Sequence, residues 1–287
     1  MNKNKKRVII LSIIAVLLVV LIIWIAWGNK ALELNSYTIA SDKLPVAFDG
    51  YRIAQVSDHH NAEMGKDNEK LISMLKDAAP DIIVITGDMI DSRNTKVDVA
   101  LSFAEQAVKI APCYYVTGNH EARVDEYSDL KDGLLELGIV VLEDARVDIE
   151  LSGEIITLIG VDDPSFQTDY LFGDDETVVK SKLDELTSED DDYTVLLSHR
   201  PELFDIYVES GVDLVFSGHA HGGQFRLPFI GGVAAPNQGL FPKYDAGIYT
   251  EGNTNMVVSR GVGNSIIPFR VNNRPEVILI ELTTQGE

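Results

Sequence analysis

The ends of the apolar runs constrain this chain most. Runs enriched in β-branched or aromatic residues recur at 51–57 (YRIAQVS), 81–87 (DIIVITG), 113–118 (CYYVTG), 138–142, 155–161, 193–199, 212–218, 255–261 and 276–282. Five of them lead straight into a polar cluster: SDHHN, GDMID, GNHE, SHRPE and GHAHGG. Every histidine in the chain, six in all, lies in one of these clusters. Helix-like segments at 67–79, 96–110, 128–137 and 176–186 separate many of the runs. Strands buried on both faces by alternating helices make an α/β architecture, and the thinner supply of helices late in the chain predicts a mixed sheet. Ligands in such sheets gather where strand ends meet loops.

The clusters contain Asp58, His60, Asp88, Asn119, His199, His219 and His221. Carboxylate, amide and imidazole together suit Mn²⁺, Fe²⁺ or Zn²⁺. A thiolate zinc site is excluded, because Cys113 is the only cysteine. Seven donors exceed the needs of one ion, whereas two ions sharing a bridging carboxylate would use them all. If the strand through 51–58 stays extended to its end, Asp58 and His60 share one face and His59 points to the other.

Residues 8–27 (VIILSIIAVLLVVLIIWIAW) carry no charge and only one polar residue, Ser12. About 20 apolar helical residues span a bilayer's hydrocarbon core. Trp24 and Trp27 sit at the far end, where amphipathic rings favour the interface. A cleaved secretory signal has a core of only ~7–15 residues followed by a small-x-small site. The longer run here ends in WGNKAL, so an uncleaved anchor is expected. Residues 1–7 then form a basic cytoplasmic end, 8–27 the anchor, 28–49 a linker with an edge strand, and 50–287 one large domain outside the cell membrane. Beyond residue 27 the chain has 20 basic and 45 acidic residues, a net of −25. That excess argues against a nucleic-acid partner.

The ordered blocks D-x-H (Asp58, His60), G-D-x-x-D (Gly87, Asp88, Asp91), G-N-H-E (Gly118 to Glu121), His199 after a strand, and G-H-x-H (Gly218 to His221) resemble the calcineurin-like metallophosphoesterases. SGHAHGGQFRLP, GVDDP, SRGVG and NRPEV resemble the membrane-associated bacterial branch of that family. The resemblance implies a four-layer αββα sandwich and two divalent ions. Asp58, His60 and His221 would hold one ion, Asn119, His199 and His219 the other, and Asp88 would bridge them. It also implies hydrolysis of phosphate esters by attack of a metal-activated hydroxide. His120 would act as acid or electrostatic stabiliser, oriented by Asp91; the competing reading makes Asp91 a helix cap.

Phosphodiesters are the expected substrates ahead of monoesters, with phospholipid or cell-envelope phosphates favoured by the topology. A non-catalytic module that kept the fold, or a phosphomonoesterase, is the alternative. The Asp-His-His phosphoesterases share the triplet but add an earlier Asp-x-Asp block, which is missing before Asp58, and no H-E-x-x-H helix suggests a metallopeptidase. Arg123, Arg200, Gln224, Arg226, Asp162 and Asp163 flank the blocks as further candidates, for which salt bridges and loop capping are the ordinary roles.

Overall fold

Alternation along the strands sorts the apolar side chains into separate layers. The computed structural model describes residues 3–167, 174–188, 191–264 and 266–284. In chain order the elements are α1 (Lys3–Gly28), β1 (Glu33–Ala40), β2 (Arg52–Val56), α2 (Glu69–Ala78), β3 (Ile82–Thr86), α3 (Val97–Ala107) and β4 (Cys113–Val116). Next come α4 (Tyr127–Glu136), β5 (Val140–Val141), β6 (Ala145–Leu151), β7 (Glu154–Gly160), α5 (Asp175–Leu186), β8 (Thr194–Leu197), α6 (Phe204–Glu209) and β9 (Leu214–Ser217). Two short ribbons follow, β10 (Arg226–Leu227) with β11 (Gly231–Gly232) and β12 (Ala234–Ala235) with β13 (Gly239–Leu240). The chain closes with β14 (Gly247–Glu251), β15 (Thr254–Val258) and β16 (Glu276–Thr283).

Two six-stranded sheets result, in the orders β1-β16-β2-β3-β4-β5 and β14-β15-β9-β8-β7-β6. Both are mixed: β16 runs antiparallel to β2, and β14/β15 and β6/β7 are antiparallel hairpins around otherwise parallel pairs. Ile53, Ile82, Val84, Val195, Leu197, Leu214 and Phe216 face inward and close the space between the sheets. Their neighbours Ala54, Ile83 and Ile85 turn outward, against Leu71, Leu75, Phe103 and Leu130 of α2, α3 and α4. On the other side, Leu196, Val215 and Met256 pack against Val179 and Leu183 of α5 and Phe204 and Tyr207 of α6. The architecture is a four-layer αββα sandwich.

Beneath the strand ends the two sheets are tied by a buried polar residue. Gln55 Nε2 donates to Thr86 Oγ1 and to the Ser217 carbonyl, each at 2.9 Å. β1 occupies the edge of the first sheet, paired in parallel with β16. β6, β14 and α6 were not expected from the apolar runs. β6 alternates Arg146, Asp148 and Glu150 with its apolar residues, so its run is broken. Separately, α1 contains one stretch, Asn4–Gly28, long and apolar enough to cross a membrane, and none of it is buried.

Candidate metal centre

Three of the five polar clusters leave their strands through left-handed turns. β2 ends at Val56, and Asp58 and His60 then adopt φ of 50° and 45°. Asp88 after β3 and His219 and His221 after β9 do the same, at 52°, 64° and 48°. Left-handed backbone disfavours side chains bearing a Cβ, at a cost of about 1–3 kcal/mol each, and such outliers cluster at functional sites. The loops therefore store strain at five of the seven predicted ligands. Strand alternation is not what turns Asp58 and His60 together, because the strand has already ended; the left-handed turn does so. His59 goes the other way and stacks on Phe103 at 5.1 Å.

The turns bring the donors into two groups that share Asp88. In the first, Asp58, His60, Asp88 and His221 each offer one atom, all within 4.8 Å of one another. His60 Nε2 lies 3.2 Å from His221 Nε2 and 3.5 Å from Asp88 Oδ2, and His221 Nε2 lies 3.3 Å from Asp58 Oδ1. In the second, Asp88, His199 and His219 converge in the same way. His199 Nε2 is 3.2 Å from Asp88 Oδ2. Its Nδ1 donates to the Thr86 carbonyl at 2.8 Å, which leaves the Nε2 lone pair facing the cluster. Donors held 2.0–2.2 Å from an ion stand about 3–4 Å apart, the spacing seen here.

Hydrogen-bond accounting agrees with that geometry. His199 Nε2, His219 Nε2 and Asn119 Oδ1 are buried without a hydrogen-bond partner among the described residues. Buried polar atoms in a native protein are nearly always satisfied. A cation among Asp88, His199 and His219 would satisfy the two imidazole nitrogens, and the converging donors of the first group offer a second place for one, so the donor set fits two ions. Asn119 lies on the loop after β4, where the next residue's N–H donates to Asp88 Oδ1 at 2.8 Å.

Without ions, the electrostatics are tense. Burial alone would lower the His199 imidazole, but Asp88 and Asp58 overcome it and push it up to about 10. Burial pushes Asp58 up to about 6, with His199 opposing and Asp88 adding. Asp88 itself is held well below the usual carboxylate range, because His199 and His60 outweigh its burial. Burial draws His60 down to about 3. A proton on His199 thus takes the place of a cation beside Asp88.

The loops have their own supports, some of which carried no role in the sequence reading. Glu121 is fully buried and accepts N–H bonds from Asp88 (2.9 Å), Gly118 (2.9 Å) and Ile90 (3.2 Å). It locks the loop after β3 to the loop after β4. The fourth letter of G-N-H-E was the available signal. Gly218 is required by crowding: a Cβ there would stand 1.9 Å from Ser57 Oγ and 2.4 Å from Asp58 Oδ2. Arg270 is buried with its guanidinium 3.5 Å from His221 Nδ1, and no spacing in the sequence pointed to it.

The His120 ring lies 4.5 Å from that of His60. Asp91 reaches His120 by an indirect route. Its carboxylate is 3.8 Å from His120 Nδ1, outside hydrogen-bond reach, and is instead bound by Arg93 at 3.0 and 2.6 Å. The bond to Nδ1 comes from the Ser92 N–H at 3.0 Å. Asp91 Oδ1 accepts the Arg93 N–H, an Asx turn that aims the Ser92 N–H at the ring. The helix-cap reading fails, since α3 begins after Lys96 with no side-chain cap.

The flanking candidates are mostly occupied elsewhere. Arg200 forms a buried bidentate pair with Asp163 (2.5 and 2.8 Å), and Arg226 pairs with Asp245 at 3.0 Å. Gln224 donates to two backbone carbonyls, and Asp162 accepts from Thr117. Arg123 stands exposed at the end of the G-N-H-E loop.

Residues 51–223 match the profile of the calcineurin-like phosphoesterases, and that stretch contains all five clusters. The chain belongs to this family. A metallophosphoesterase of Bacillus subtilis, YkuE, is 30% identical over 259 residues, covering 88% of this chain and 85% of its own. A zebrafish (Danio rerio) protein described as a transmembrane protein with a metallophosphoesterase domain is 29% identical, covering 85% of this chain and 56% of its own. The phosphodiesterase YaeI of Escherichia coli is 28% identical, covering 71% and 70% respectively. As a calcineurin-like phosphoesterase with these donors, the chain is a metal-dependent phosphoester hydrolase.

Proposed function

We propose that the chain is a membrane-anchored phosphodiesterase holding two divalent ions, Mn²⁺, Zn²⁺ or Fe²⁺. Asp58, His60 and His221 hold one ion, and Asn119, His199 and His219 the other, with Asp88 between them. The observation carrying this reading is the pair of donor groups that meet at Asp88. Two cations there would lower the pKa of an attacking water and offset the phosphoryl charge.

The protein's own groups then position the reaction. Asp88 belongs to both donor groups, so its carboxylate would be available to both ions. Arg270 adds a buried positive charge behind His221. Because His120 Nδ1 accepts from the Ser92 N–H, the ring's remaining N–H is on Nε2. His120 is thereby set to donate a hydrogen bond to a phosphoryl or leaving-group oxygen, favouring stabilisation of developing charge over full proton transfer. Burial also draws the ring's pKa down, with Asp88 opposing, which keeps it neutral.

The preference for diesters is supported by the relative named as a phosphodiesterase. Anchoring is supported by α1 and by the relative named as a transmembrane protein. The basic residues before α1 orient the catalytic domain outside the cell membrane, where phospholipid or envelope-polymer phosphates are the available substrates. No nucleic acid is expected to bind.

The test is hydrolysis of an aryl phosphodiester, an aryl phosphomonoester and a phospholipid by the full chain in vesicles with Mn²⁺ or Zn²⁺. Diester cleavage faster than monoester cleavage, and absent from Asp88→Asn, is expected. Monoester cleavage alone would replace the diesterase reading with a phosphatase. No cleavage above the Asp88→Asn control would leave a non-catalytic module.

A further inference from the structure

Among the described residues outside α1, seven of the thirteen exposed large apolar side chains lie between residues 227 and 269, in the segments that follow His221. Leu227, Phe229 and Ile230 form the tip of the β10–β11 ribbon, Leu240 lies on the next ribbon, and Ile266 and Phe269 lie on the segment before β16. Phe229 is 109% exposed and Ile266 75%. Contiguous apolar surface of this kind marks an interaction site.

Three contacts join these stretches into one rim. Phe225 and Phe269 pack at 5.5 Å, the Arg226 N–H donates to the Val271 carbonyl at 3.0 Å, and the Gln224 amide donates to the carbonyls of Ile267 and Phe269. Gln224 is three residues beyond His221. The rim is therefore built directly onto the loop that carries a predicted ligand.

The same rim is clasped to the end of α1. The Asn29 side chain donates to the Arg270 carbonyl at 2.9 Å and accepts the Arg270 N–H at 2.7 Å. Arg274 stacks over Trp27 at 5.1 Å, and a cleft at the foot of the helix is lined by Trp24, Trp27, Arg260, Arg270 and Arg274. Tryptophan and arginine are the residues expected at a lipid headgroup plane.

Charge singles out the same region. Residues 227–236 and 261–269 contain no ionisable side chain, in a chain with a net charge of −21. The cations around these tips are paired or buried, Arg226 with Asp245, Arg260 and Arg274 with Glu33, and Arg270 in the interior, so the tips themselves present only uncharged apolar surface, which suits a lipid interface.

We propose that this rim, with Phe229 and Ile266 at its tips, inserts into the leaflet from which α1 emerges, so that the domain meets the lipid at two places. The proposal rests on the reading of α1 as a bilayer-crossing helix. Two attachments fix the domain's tilt, where a single helix would let it swing. The mouth beside His221 is then held at the plane of lipid phosphates.

The test uses the full chain in phosphatidylcholine–phosphatidylglycerol vesicles, with buried Cys113 replaced by alanine and single cysteines at Phe229, Ile266, Leu17 or Val46 carrying a nitroxide. Collisions with oxygen and with a water-soluble nickel chelate report depth. Leu17 lies within α1, and exposed Val46 lies past the far end of β1. Labels at 17, 229 and 266 are expected to favour oxygen, those at 229 and 266 at a depth of about 5–10 Å, while 46 stays accessible to nickel. Nickel access at 229 and 266 equal to that at 46, with 17 lipid-buried, overturns the proposal and leaves the anchor standing. Low collision with both reagents at 229 and 266 assigns the rim to a protein partner, such as a second copy, and also overturns it. Nickel access at 17 overturns the anchor reading and the proposal together.

Discussion

His60 and His59 are neighbours with opposite fates. His60 Nε2 faces His221 and Asp88, whereas the His59 ring is stacked in the core against Phe103, and its burial draws its pKa down to about 4. His60→Ala should lose one ion while His59→Ala keeps both, as metal analysis of each variant would show. His59→Ala should instead lower stability by about 2–4 kcal/mol in denaturant melts, through the cavity left beside Phe103. His199 offers a second test, through protons. Its folded-state pKa is raised to about 10, so in the ion-free protein its pairing contributes stability that is full below about pH 6.5 and is lost as pH rises through about 10. An ion must displace that proton, so binding should release at least one proton per chain at neutral pH and tighten as pH rises. Calorimetry in buffers of different ionisation enthalpy measures the release; none at pH 7 would contradict the site. Asp91 supplies a third test. Asn can keep the Asx turn, so Asp91→Asn should retain activity within about tenfold, while Asp91→Ala falls about 10–100-fold with metal content intact. The candidate ligands were legible in the sequence because each is a distinctive residue beside a strand. The turn through Ser92 was not, since a backbone N–H carries no letter of its own.

At the scale of elements, the site is a set of strand ends held in register. Gln55 ties β2 to β3 and β9 beneath the clusters, and Glu121 ties the loops above. Most of the nine apolar runs mark strands because their residues are buried on both faces, as Ile82–Thr86 shows with every position buried; Val140–Val141 is a partly exposed exception. β6 was hidden because its exposed alternate positions are charged, and the two-residue strands of the ribbons are too short for any period to register. D-x-H pairs Asp58 with His60 by strand alternation, whereas the structure brings them together through left-handed φ, which is invisible to an alternation argument. Crowding at G-H-x-H gives an element-scale prediction. Gly218→Ala would drive a methyl into Ser57 and Asp58. It should cost about 1–3 kcal/mol of stability in denaturant melts and weaken ion binding. Unchanged melting and metal content would mean that the strand ends are less tightly packed than the contacts state.

Across the whole molecule, strain at the candidate ligands, repulsion between Asp58 and Asp88 and the orphaned buried atoms would all be offset by ions at the two donor groups. Ligands that bind only the folded state stabilise it by mass action, about 4 kcal/mol at a thousand times Kd. For a domain of this size that corresponds to a fall in Tm of about 8–16 °C on chelation, which calorimetry with and without EDTA would measure. The layered fold was legible because the runs alternate with helices. The apolar rim on the β10–β11 ribbon and the segment before β16 was not, because its residues adjoin only once the two stretches pair. The most direct test of the central claim is to strip the full chain of metal and follow cleavage of an aryl phosphodiester as Mn²⁺ is added back. Activity that rises from zero and saturates at two ions per chain, with Asp88→Asn inactive throughout, is the predicted result. Saturation at one ion, or turnover without any, would contradict it.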